Sequence, residues 1–141
     1  MTSGNLANLA KVGQLKAEPG SQSEFDGLVR SGRARLVDAR NNSLAIESRF
    51  DLAYNASHSL ALAALRWHGY RSENRYLVFQ VLEQTAGFGP EIWRVFAAAH
   101  HKRNLAEYEG HVDVEERLVI DLIESAKTLL SKVEMLGPVT T

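Results

Sequence analysis

The chain has no cysteine among its 141 residues, which excludes disulfides, thiolate metal ligands and thiol nucleophiles and fits a reducing, intracellular compartment. Proline is almost absent. Only Pro19, Pro90 and Pro138 occur, so long stretches lack a helix breaker. No run alternates apolar and polar residues with period two, and β-branched residues are sparse, so strands are not expected. No apolar run approaches the ~18 residues of a membrane span. The amino terminus has no charged start followed by an apolar stretch, so no signal peptide is expected and the cytoplasm is the default location. Excess charge of one sign is also missing. The 16 Lys and Arg against 17 Asp and Glu leave a formal net charge of -1, which excludes a globally basic nucleic-acid binder but allows a local basic patch.

What is present is helical patterning. Apolar residues recur at spacings of three and four between joints marked by glycine and proline. A weak first segment covers Leu6 to Leu15. Ser21 with Glu24 forms a capping signature for a short helix through Val29, with Ser31 and Gly32 as its end, and a further segment spans Ala34 to Ala39. Ser43 is expected to cap a long alanine-rich helix to about His68. Glu73 to Thr85 and Glu91 to about Tyr108 follow, separated by a turn at Gly87 to Pro90. Asp113 with Glu116 opens a last helix to about Met135, whose apolar stripe includes Val119, Leu122, Ile123, Ala126, Leu129 and Val133. The expected fold is all-α: an antiparallel four- to five-helix up-and-down bundle with short N-terminal helices. Residues 1–42 would be short helices packing on the bundle, 43–136 the bundle core and 137–141 a tail, all in one domain.

The chemistry concentrates between Ala97 and Gly110. Three alanines allow close approach of another backbone, and His100, His101, Lys102, Arg103 and Asn104 follow directly. Glu107 stands one helical turn beyond Arg103, and Tyr108 is five residues after it. A planar guanidinium suits phosphate, and a histidine exchanges protons near neutral pH. The plain alternative is the solvent-facing side of an amphipathic helix. Histidine spacing does not suggest metal: His58 and His68 are not one turn apart, and neither a His-Glu-x-x-His nor a Glu-x-x-His pattern occurs. No metal or cofactor is therefore expected. Ser57, mid-helix beside His58, is expected to return its hydroxyl to its own backbone.

From about Phe50 to Met135 the chain resembles a HEPN domain, the α-helical family found beside nucleotidyltransferases and in RNA-cleaving toxins. The resemblance rests on Phe50 to Leu65, on Gly69, Tyr70 and Arg71, on His101 to Tyr108, and on Leu122 to Lys127. The family signature is an arginine, commonly followed by a polar residue, with a histidine four to six residues further on. Arg103 and Asn104 match its first half. The second half departs, because the five-residue step reaches Tyr108 and the next histidine, His111, lies beyond Gly110. The resemblance thus implies a non-catalytic binding or regulatory protein acting on RNA, a nucleotide or a partner protein through residues 100–104, Glu107 and Tyr108. It also implies a homodimer in which the motif helices meet at the Ala97 to Ala99 face. The alternative it implies is a divergent metal-independent endoribonuclease of toxin–antitoxin type, using Arg103 with His100, His101 or Tyr108. A nucleotidyltransferase or antitoxin would then be a partner.

Overall fold

In the computed structural model, which describes residues 2–111 and 113–140 and side chains from Asn5 onward, the chain folds as an all-α helical bundle with one minimal sheet. The elements are α1 (Thr2–Lys11), β1 (Lys16–Ala17), α2 (Gln22–Ala39), α3 (Ile46–Trp67), β2 (Tyr70–Arg71), α4 (Arg75–Gln80), α5 (Leu82–Ala86), α6 (Pro90–Glu109) and α7 (Glu116–Glu134). No helix among the described residues is long and apolar enough to cross a membrane.

Local signals set several ends. The Ser21 hydroxyl accepts from the Glu24 N–H at 3.3 Å and caps α2. Pro90 occupies the start of α6, where its missing N–H costs no helical bond, and Gly110 ends that helix at φ +79°. Other ends differ from the sequence reading. Ser43 does not cap α3: its N–H and hydroxyl both donate to the Asn41 side chain, making a turn before the helix opens at Ile46. The helix expected from Glu73 to Thr85 is split into α4 and α5 at Val81, and Asn74 caps α4 by accepting from the Leu77 N–H at 3.1 Å. Leu77, Val78, Phe79, Val81 and Leu82 are all buried, more than one helical stripe can point inward, and the break re-aims them. The last helix opens at Glu116 rather than from Asp113.

The largest departure is α2. Ser31 and Gly32 do not end it; it runs for 18 residues, so residues 1–42 contain a principal bundle helix as well as the short α1. Gly32 is there because α2 and α3 nearly touch: a Cβ at position 32 would stand 2.6 Å from Leu60 Cγ. That contact offsets the helix cost of about 1 kcal/mol for glycine. The two helices are antiparallel, since Ala39 meets Arg49, Gly32 meets Leu60, and Glu24 meets Arg66.

At the centre lies α3. Phe50, Tyr54, Leu60 and Leu65 are fully buried there, packed with Phe79, Phe96, Leu122 and Leu129 from the surrounding helices. Ser57 donates to the Ala53 carbonyl at 2.7 Å, the backbone return expected of it. The chain beyond α7 folds back across α2 and α3: Trp67 Nε1 donates to the Gly137 carbonyl at 2.9 Å, and the Val139 N–H donates to the Gln22 side chain at 2.7 Å.

A polar knot closes the end of α3. Arg66 is 2% exposed, and all its nitrogens are engaged. Nε donates to Glu24 at 2.8 Å, Nη1 to the carbonyls of Glu18 at 2.9 Å and Tyr70 at 3.3 Å, and Nη2 to the Pro19 carbonyl at 2.7 Å. Nη2 also lies 3.4 Å from the Glu18 carboxylate, and Arg71 bridges the same two carboxylates, at 2.9 Å to Glu18 and 2.5 Å to Glu24. This knot explains the antiparallel β1–β2 pair, Lys16 opposite Arg71 and Ala17 opposite Tyr70, an element two residues long that period-two reading has no means to detect. It also explains why Glu24 does not complete its capping box.

Candidate functional site

Helix α6 anchors to the core through Phe96 and Ala99, with the Phe96 ring stacked on Phe79 at 5.4 Å. Phe96, Ala99, His100, Arg103 and Glu107 recur at spacings of three and four, so they share one face. That face is apolar at first and becomes polar at His100. It meets a matching stripe on α3, where Asp51, Tyr54, His58 and Leu62 follow at the same spacings.

Tyr54 is the hub. Its ring is fully buried, and its hydroxyl lies 2.9 Å from His100 Nδ1. On the other side of the imidazole, Asn104 Nδ2 lies 3.2 Å from Nε2. An amide N–H can only donate, so Nε2 is the acceptor and Nδ1–H donates to the Tyr54 oxygen. That is the neutral tautomer, with both nitrogens occupied. Burial, followed by the charges of Arg75 and Arg103, pushes the His100 pKa down and favours the same state.

Two guanidinium groups rest against the Tyr54 ring, that of Arg103 at 5.0 Å and that of Arg75 at 5.7 Å from its centroid. Arg103 reaches Asp51 and Glu107 only at 3.9 Å, and both carboxylates are mostly exposed, so neither pair neutralises it strongly. The positive potential is read by His58, whose pKa falls to about 4, through burial first and then through Arg75, His100 and Arg103. Its ring packs edge-on against Phe79.

The sequence-predicted residues divide accordingly. His100, Arg103, Asn104 and Glu107 come together. His101 is exposed, Lys102 is half-buried, and neither joins the group. Tyr108 is 93% exposed and stands apart, because a five-residue step from Arg103 turns about 140° around the helix. His111 packs back on the Glu109 carbonyl at 3.2 Å. Sequence reasoning missed Tyr54, His58, Asp51 and Arg75 as members of the site; the four-residue steps from Tyr54 to His58 to Leu62 were the available signal for the first two. Among the described residues no three His, Asp or Glu side chains gather closely enough to hold a metal ion.

The arrangement provides fixed cations on an aromatic support, beside a histidine without a free nitrogen. Such a surface can hold an anion. Comparison of the chain with known protein families, with curated proteins and with solved structures finds no match.

Proposed function

We propose that this is a HEPN-like protein that binds RNA phosphate at the Arg103 face, as a homodimer, without cleaving it. The observation that carries the reading is the double engagement of His100. Metal-independent phosphodiester cleavage needs a group free to take or give a proton at the reacting oxygen. The nearest imidazole has Nδ1 held by Tyr54 and Nε2 held by Asn104, and its pKa is lowered, so it supports Arg103 rather than doing acid–base work. Arg103, half-exposed and weakly paired, supplies the planar donors that phosphate accepts. Exposed Leu105 and Tyr108 and the small residues Ala97 and Ala98 leave the outer side of α6 suited to a second copy of the same helix.

Labelled single-stranded RNA incubated with the protein in chelator tests both halves. The expected result is binding without product bands, a loss of about tenfold or more in affinity for Arg103→Ala, and weakening with added salt. Cleavage by the wild type that disappears in Arg103→Ala would instead establish the ribonuclease alternative. Binding unaffected by Arg103→Ala would remove this face from the function. Sedimentation of the intact chain tests the dimer, and a monomer at all concentrations rejects it.

A further inference from the structure

A second cleft opens on the same face of α3, beyond His58. It encloses about 610 Å³ between the residues from Gly13 to Lys16, His58 and Leu62 of α3, and the stretch from Arg71 to Arg75. That volume lies within the range of small-molecule sites. Leu15 and Leu62 give it an apolar side, and His58, one helical turn before Leu62 and one after Tyr54, lines it as well.

Its cations are not equivalent. Arg71 is committed to Glu18 and Glu24, and Lys16 lies 3.5 Å from Glu18. Arg75 is different. Its Nη1 is buried and has no hydrogen-bond partner among the described residues. That nitrogen has no accessible surface and is not the atom a ligand in the cleft meets; what the cleft offers is Arg75 itself, which lines it and forms no ion pair with a carboxylate among the described residues, so its charge is open to an anion. The Tyr54 ring fixes the guanidinium from behind. His58, neutral at physiological pH, contributes a flat surface and a polar edge without a competing charge. Arg103 does not line this cleft, so the site is separate from the proposed RNA face and goes beyond that reading.

We propose that this cleft binds a small phosphomonoester with a flat or apolar body, the phosphate on Arg75 and the body against Leu15, Leu62 and His58. Phosphate offers the guanidinium paired acceptor oxygens. A nucleoside monophosphate combines that group with a flat body of suitable size.

The probes are adenosine 5′-monophosphate, inorganic phosphate and adenosine, followed by calorimetry and by the imidazole resonances of His58. Adenosine monophosphate is expected to bind more tightly than either fragment and to shift the His58 imidazole resonances, since its body packs against that ring and its phosphate stands beside Arg75. Arg75→Gln is expected to weaken binding by about tenfold or more. Gln14→Glu, an exposed change at the rim that leaves Arg75 packing intact, is expected to weaken it through repulsion. Arg103→Gln is expected to leave it within about twofold, the charge being screened by solvent. Adenosine binding as tightly as its monophosphate, absence of any His58 response, or equal loss in Arg103→Gln and Arg75→Gln each overturns the proposal. The RNA assay is unaffected by that failure, because it turns on Arg103.

Discussion

Arg66 and Arg75 both bury guanidinium nitrogen, Arg66 as a whole side chain and Arg75 at Nη1 alone, yet they are opposite in one respect. Arg66 has every nitrogen answered from within the chain, by two carboxylates and three carbonyls. Arg75 rests on an aromatic ring with a buried nitrogen that nothing among the described residues answers. Burial of a charge therefore does not by itself distinguish scaffold from site; closure of its hydrogen bonds does. A closed set holds α2, α3 and the β1–β2 pair together. An open set retains binding capacity for something outside the chain.

The largest effect is expected at Arg66. Arg66→Met strands three carbonyls and leaves Glu24 to Arg71 alone, and is expected to cost about 3–5 kcal/mol in urea denaturation. A loss below about 1 kcal/mol would mean that the knot is ornamental.

Acid tests both clusters at once. The His58 pKa is depressed from 6.5 to about 4 in the folded chain, so the unfolded chain binds more protons between those values. Stability is then fully present above pH 6.5 and is lost as pH falls toward 4, by on the order of 2–3 kcal/mol. His58→Gln should flatten that part of the curve. The Glu18 carboxyl is lowered chiefly by its bond to Arg71; that of Glu24 is lowered because bonds from Arg66 and Arg71 outweigh its burial. Their contribution is present above 4.5 and disappears as pH falls through their lower folded values, leaving a second, more acidic loss.

A smaller effect is expected at the hub. Tyr54→Phe removes the oxygen that receives the His100 Nδ1–H and should cost about 1 kcal/mol, with a shift of the His100 imidazole resonances as the direct check. Smallest is Arg75→Met, which deletes an unanswered donor. It is expected to leave stability within about 1 kcal/mol of wild type or to raise it slightly. A large loss there would make Arg75 a second Arg66 and erase the distinction.

How much of this the sequence shows depends on how local each cause is. Pro90 and Gly110 bound α6 by their own backbone requirements, and the all-α bundle follows from spacing. The continuity of α2 was hidden because Gly32 looks like a terminator and is in fact a packing residue chosen by Leu60. The knot was hidden because its acceptors are backbone carbonyls of Glu18, Pro19 and Tyr70, which any residue type would present. The site was half legible. Its α6 members share one helix, so their grouping follows from one-turn steps, whereas Tyr54 and Arg75 arrive from α3 and α4 and only the fold brings them in.

The contact between Gly32 and Leu60 has a consequence for how this sequence can drift. With 2.6 Å between a would-be Cβ and Leu60 Cγ, neither position can gain volume unless the other gives way. A descendant that acquires alanine at 32 must shift or shrink the side chain at 60, and one that enlarges 60 is bound to glycine at 32. The two positions form a linked pair, and substitutions there should travel together through any lineage that keeps this fold.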